Sequence, residues 1–231
     1  MLKVDGLSFA YGEVSVLRDV TLSVPKGQIV CVMGRNGVGK TTLMNNIIGL
    51  LKPKQGSIQI EEQEMSEIPA HKRIRHGLGY VPQGRMIFPK LTVIENLKVG
   101  LSARSDGKKS IPNIVFDMFP ILKEMSGRRG GDLSGGQQQQ LSIGRALVGN
   151  PRLLILDEPT EGIQPNIIQA IGDVLMKLVK ERNMTILMVE QYLEFVREFG
   201  HHFYIMNRGQ IVADGTTEEL STDIVRQHLS V

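Results

Sequence analysis

Three short stretches of this sequence place reactive residue types at spacings that suit phosphate chemistry. The first is "GRNGVGKTT" (34–42), in which Gly34, Gly39, Lys40 and Thr41 fit the spacing G-x-x-x-x-G-K-[ST]. Such a loop lets backbone amides curl around a phosphate chain, here those of Gly34, Arg35, Asn36, Gly37, Val38, Gly39 and Thr42. Lys40 then reaches the terminal phosphates, and the Thr41 hydroxyl is offered to Mg²⁺. The second stretch is "LLILDEP" (153–159), an apolar strand that ends in two acids. It delivers Asp157 towards the outer coordination of the metal and aims Glu158 at the water that attacks a γ-phosphate. Positioning of that kind carries most of the rate in phosphoryl transfer.

The third stretch, "DLSGGQQQQLSIGRAL" (132–147), raises a question of its own. Ser134 and Gln137 have the spacing of a capping box, which satisfies amides at the start of a helix. Ile143, Ala146 and Leu147 then share one helical face, and Gly149-Asn150-Pro151 ends the run. A cap explains the serine and the glutamine but not the paired Gly135 and Gly136, since a helical glycine costs about 1 kcal/mol relative to alanine. Bare amides in a first turn suit an anion that must come very close.

The elements that must hold these stretches follow from hydrophobic periodicity. Residues 1–24 alternate apolar and polar positions on both sides of Tyr11-Gly12, which predicts antiparallel strands. "GQIVCVMG", "PRLLILDEP" and "MTILMVE" are short, continuously apolar strands. Helices alternate with them, among them "KTTLMNNIIGLL" and "PNIIQAIGDVLMKLVKER", with Pro165 near the start of the second. "GSIQI" is a further strand, "YLEFVREF" a short helix, and "HFYIMNRGQIVADG" a hairpin turning at Asn207-Arg208-Gly209. From about Arg85 to Asp132 the pattern is mostly helical, with Thr92 and Glu95 in capping-box positions. The expected class is therefore α/β, with a mainly parallel core sheet covered on both faces.

Composition narrows the function classes. The chain has 231 residues, 41% apolar and 22% charged, which is ordinary globular usage. Its net charge of +3 is too small to argue for nucleic acid. The basic runs "HKRIRH" (71–76) and "GRRGG" (127–131) are expected to be solvated surface, and "HH" (201–202) to be incidental. The longest apolar run, "IVCVM", falls far short of the ~20 residues needed to span a bilayer. The opening residues show no signal-peptide pattern. The single cysteine, Cys31, lies in an apolar strand and is expected to be a buried small hydrophobe, in keeping with a reducing compartment.

Taken together, the phosphate loop, the strand ending in Asp157-Glu158 and the helix opening "LSGGQ" resemble the ATP-binding cassette (ABC) family, over nearly the whole chain. That resemblance implies the phosphate-loop NTPase fold of an ABC ATPase, with an N-terminal antiparallel β subdomain and a helical subdomain. Residues 1–231 would form a single ATPase domain, with 1–83 and 133–231 as the nucleotide-binding core and 84–132 as the helical subdomain that docks on a permease. Ser134, Gly135, Gly136 and Gln137 would face the γ-phosphate of an ATP held by a partner cassette, so one chain could not complete its own site. Tyr11 would stack on adenine, and Gln83 in "YVPQG" would touch Mg²⁺ and sense the membrane partner. The catalytic set so implied is Glu158, Gln191 and Lys40; the metal set is Thr41, Gln83 and Asp157.

Two positions depart from the broad family pattern. Gln191 stands where most cassettes carry a histidine that contacts the γ-phosphate, and Gln164 stands where an aspartate is usual. Glutamine can donate an amide hydrogen bond but does not titrate near neutral pH. "VEQ" is similar to the cassettes of branched-chain amino acid and related importers, and "LSGGQQQQL" with "DEPTEGIQP" to the ATPase subunits of urea importers within that group. The resemblance implies an ATP-hydrolysing subunit powering import of a small polar solute, with urea ahead of a branched-chain amino acid. Its partners would be integral membrane permeases, a second cassette, identical or homologous, and a solute-binding protein reached through the complex. Its place would be peripheral, on the cytoplasmic face of a bacterial inner membrane. A non-transport ABC ATPase acting on ribosomes or nucleic acid is the alternative of another class. Such proteins usually join two cassettes or carry a long insertion, which the span from Thr42 to Ser134 leaves no room for.

Overall fold

A computed structural model describes residues 1–229. In chain order, β1 (Leu2–Tyr11) and β2 (Val14–Val24) lead to β3 (Ile29–Met33), α1 (Lys40–Ile48), β4 (Gln55–Ile60), β5 (Gln63–Glu64), α2 (Ala70–Arg75) and β6 (Leu78–Val81). The middle of the chain holds α3 (Val93–Val99), α4 (Asn113–Met118), α5 (Pro120–Glu124) and α6 (Gly135–Val148). The rest is β7 (Leu153–Asp157), α7 (Pro165–Arg182), β8 (Thr185–Val189), α8 (Leu193–Phe199), β9 (His202–Asn207), β10 (Gln210–Thr216) and α9 (Thr222–His228).

Two sheets result. One is antiparallel with strand order β2-β1-β4-β5, and the other has order β10-β9-β3-β8-β7-β6. In the second sheet every pairing from β9 to β6 is parallel, and only the β9–β10 hairpin is antiparallel. The continuous apolar runs now have a physical cause: successive side chains of β3, β7 and β8 enter different cores. Ile29, Cys31 and Met33 pack with Leu154, Leu156, Ile186 and Met188 on one face, under α6, α7 and α8. Val30, Val32, Leu153, Ile155, Leu187 and Val189 pack on the other, with α1 and the antiparallel sheet. A strand buried on both sides has no reason to alternate. It is the two acids at the end of β7 and the loop after β3, both at the carboxyl edge of this sheet, that the fold brings together.

The sequence-based expectations differ from the structure at three places. β6 pairs with β7 at the edge of the parallel sheet, Leu78 opposite Leu153, although its four residues carry too little periodicity to announce it. Arg73, expected to be solvated with the rest of "HKRIRH", is 1% exposed. Its guanidinium donates to the carbonyl oxygens of Asn46 and Ile47 at 2.8 and 2.7 Å, and to those of Ile68 and Ser66 at 2.6 and 3.1 Å. It thereby caps the C-terminus of α1, where orphan carbonyls and the negative end of the helix dipole favour a cation. His201, expected to be incidental, accepts a hydrogen bond from the Ile29 amide through Nδ1 at 3.2 Å and so fixes the entry to β3.

Candidate active site

The loop after β3 turns into α1 at Gly39, whose φ of 110° is open to glycine alone among common residues. No side chain caps α1 at this end, so its first amides stay free to meet a ligand. Lys40 is 5% exposed, and its Nζ donates to the carbonyl oxygens of Gly34 and Arg35 at 2.7 and 2.9 Å. Burial lowers its pKa, and the carboxylates of Glu158 and Asp157 pull in the opposite direction. The ammonium lies 3.8 Å from Glu158 Oε1.

Glu158 follows directly on β7 with φ of 50°, a left-handed backbone unusual for a residue with a side chain. Its amide donates to the Val189 carbonyl at 3.0 Å, which locks the turn onto β8. Two glutamine amides grip the carboxylate from different segments. Gln83 Nε2 donates to Oε2 at 3.0 Å and also to Glu161 at 3.2 Å. Gln191 Nε2 donates to Oε1 at 2.5 Å and to Asn36 Oδ1 in the phosphate loop at 2.9 Å. This carboxylate, which follows β7, is therefore fixed by glutamines that follow β6 and β8 and by the lysine that follows β3.

These groups line a cleft of about 740 Å³ that also takes in Tyr11, half exposed, and Thr41 and Thr42. Tyr11 meets Phe9 edge-on at 4.9 Å between ring centroids, which fixes its ring at the rim. Asp157 is not part of the cleft lining; it lies behind it, 1% exposed, with the Thr41 hydroxyl beside it and no hydrogen bond of good geometry to either carboxylate oxygen among the described residues. Burial pushes its carboxyl up to about 6. An orphaned buried acid is costly unless something charged completes it.

Sequence reasoning missed Glu190. This carboxylate is 3% exposed and accepts from the Gln191 and Tyr192 amides at 2.8 and 3.1 Å and from Thr160 Oγ1 at 2.9 Å. It ties the segment after β7 to the segment after β8 and so holds Gln191 towards Glu158. The acid was visible in "MVEQ", but an acid at a strand end carries no sign of which amides it will meet.

Ser134, Gly135, Gly136 and Gln137 line no part of this cleft. The box at α6 forms as the spacing suggested, with the Ser134 amide donating to Gln137 Oε1 at 2.9 Å and the Gln137 amide to Ser134 Oγ at 3.4 Å. The paired glycines have a cause inside the chain as well. A Cβ on Gly136 would stand 2.8 Å from Ile167 Cγ2 of α7, and one on Gly135 would stand 3.2 Å from Arg85 Nη1. The expectation that only an approaching anion requires a bare backbone here is therefore too narrow.

A phosphate loop between strand and helix, beside a strand that ends in Asp-Glu at the same sheet edge, defines a nucleoside triphosphatase of the phosphate-loop class. The chain matches the ABC transporter family over residues 17–161, more than half its length, and it belongs to that family as an ATP-hydrolysing cassette. It is 39% identical over 224 residues to the high-affinity branched-chain amino acid transport ATP-binding protein BraG of Pseudomonas aeruginosa, with 96% of each chain covered. It is 32% identical over 226 residues to the lipopolysaccharide export system ATP-binding protein LptB of Escherichia coli, covering 96% of this chain and 93% of that one. Among solved structures it is similar to a nucleotide-free cassette from an ABC transporter, with a TM-score of 0.85 and 28% identity over 100% of this chain and 95% of the other. It is also similar to a dimeric post-hydrolysis cassette bound to ADP and Pi, with a TM-score of 0.84 and 26% identity over 94% and 99%. No helix among the described residues is long and apolar enough to cross a membrane.

Proposed function

We propose that this chain is the ATPase subunit of a membrane importer, and that ATP is clamped between its cleft and the α6 turn of a second cassette. The observation that carries the reading is the grip on Glu158. A carboxylate held by Lys40, Gln83 and Gln191 at the mouth of a phosphate loop is placed to orient an attacking water. In this reading the amides of residues 34–42 and Lys40 hold the phosphates, Tyr11 stacks on the base, and Gln191 donates to the γ-phosphate.

The residues fit Mg²⁺. Asp157 is a buried acid with no hydrogen bond of good geometry among the described residues, the Thr41 hydroxyl lies beside it, and Gln83 stands at the same edge. A cation held here would share its coordination with phosphate and water. When bound, the metal would neutralise charge on the phosphate oxygens. Asp157, Thr41 and Gln83 are the residues that would hold it.

Ser134 to Gln137 would act on the nucleotide of the partner cassette, which is why they stand away from this chain's own cleft. Residues 84–132 would form a helical subdomain within one ATPase domain, and its border with the core would receive the permease. A groove of about 910 Å³ runs there between Leu50, Met86, Phe88 and Val99, all exposed apolar side chains. The protein would lie on the cytoplasmic face of the inner membrane, joined through the permeases to a solute-binding protein. For the solute, the likeness to a branched-chain amino acid transport protein favours such an amino acid over urea, which the signature and "DEPTEGIQP" suggested first. Purification from native membranes, with identification of the permeases and solute-binding protein that come along, tests this reading. A branched-chain amino acid bound by the copurified protein supports it, urea restores the other solute, and copurified nucleic acid or ribosome overturns the transport reading.

A further inference from the structure

Three consecutive residues, Gly84, Arg85 and Met86, have φ of 72°, 67° and 43°. A single left-handed residue is common at a turn, but a run of three with two side chains is strained and persists only where neighbours hold it. Here the holders are on α6. Ser142 Oγ donates to the Arg85 carbonyl at 2.6 Å, and Arg145 Nη2 donates to the Met86 carbonyl at 2.8 Å. The outcome of the strain is the direction of the Arg85 side chain. Its Nη2 donates to the carbonyl oxygens of Glu161 and Gly162 at 3.1 and 3.4 Å, in the segment between Glu158 and α7. The same guanidinium lies against the bare face of Gly135, where a Cβ would meet Nη1 at 3.2 Å and Nη2 at 3.3 Å. Flat packing of a planar group on a glycine is a use of guanidinium geometry that an ammonium cannot copy.

The same three-residue turn has two other faces. Gln83, immediately before it, holds Glu158. Met86, its last residue, is 66% exposed at the apolar groove. We propose that Arg85 is a positioning residue, a strut that holds the Glu161-Gly162 turn against the first turn of α6. This rests on the reading of those two segments as the surfaces offered to a partner cassette. Arg85 lines no part of the nucleotide cleft, so it acts on the reaction only through the pieces it holds.

Two measurements on the full chain test the strut. Hydrogen exchange of Arg85→Ala is expected to speed the amides of 161–166 by about five-fold or more while those of α1 keep their rates. In the transporter assembled in liposomes, kcat for ATP is expected to fall about ten-fold with KM within about two-fold, the pattern of a lost positioning contact rather than lost binding. Arg85→Lys restores neither. Gly135→Ala, whose Cβ crowds the guanidinium from the opposite side at 3.2 Å, is expected to speed the same amides by a smaller factor. Unchanged exchange at 161–166 in both variants overturns the proposal, and so does faster exchange with unchanged kcat. Failure of the partner-cassette reading is distinguishable: the exchange effect would persist while Ser134→Arg left turnover of the assembled transporter intact.

Discussion

The starts of α1 and α6 are both glycine-rich turns that open a helix, and the fold treats them differently. At α1 the N-cap is Gly39, no side chain caps the helix, and Lys40 and Glu158 flank the free amides. At α6 Ser134 and Gln137 satisfy each other's amides, and the turn stands apart from the cleft. The first leaves its amides open beside a buried lysine and a carboxylate. The second is a self-capped turn that stands apart from that cleft, with the Arg85 guanidinium against its first glycine. A glycine-rich helix start can thus leave its first amides open or satisfy them within the chain, depending on the residue at the cap.

Breaking the first half should have the largest effect. Glu158→Gln keeps the side chain's size and its place between Gln83 and Gln191 but removes the charge. ATP turnover is expected to fall by about 10² or more while ATP affinity is retained, and light scattering should detect an ATP-bound dimer. Undiminished steady turnover would take Glu158 out of the reaction. Gln191→Ala comes next, because it removes one of two amides on Glu158 and the link to Asn36. A fall of about ten-fold in kcat is expected, and Gln191→His, which also donates, should keep turnover within a few-fold. An alanine variant with wild-type kcat would leave Gln191 without a role.

The smallest effect sharpens the comparison through pH. Burial raises the Asp157 carboxyl to about 6, so the proton-bound form is the one the fold prefers. Its contribution to stability is fully present below the unfolded carboxylate range and is lost as pH rises through about 6. A cation binds the ionised form and competes with that proton. Stabilisation by Mg²⁺ with ATP should therefore grow by a few °C in Tm between about pH 5 and about pH 7.5. Asp157→Asn should flatten that rise. A wild-type Mg²⁺ effect independent of pH would count against Asp157 as the group that meets the metal.

What the sequence revealed, and what it hid, divides by the range of the contacts. The cradle at 34–42 and the apolar strand into Asp157-Glu158 were legible because local spacing alone dictates their backbone. The boxes at Thr92/Glu95 and Ser134/Gln137 form as their spacing suggested, for the same reason. Arg73 was misjudged because its four partners are carbonyls, which no residue type announces, and two of them belong to a helix that ends well before it in the chain. The glycine pair was half explained because Ile167 and Arg85 reach it from distant segments. β6 was missed because an edge strand of four residues has no periodicity to read. Glu190 was passed over because backbone amides, not side chains of a recognisable pattern, make it matter.

The central claim is that the two helix starts serve one nucleotide from two chains, and Ser134→Arg tests it most directly. The variant places a bulky cation at an exposed turn that touches no part of its own cleft. ATP affinity of the isolated chain is expected to stay within about two-fold of wild type while turnover of the assembled transporter falls at least ten-fold or so. Wild-type turnover in that variant, or affinity lost in the isolated chain together with turnover, would contradict it.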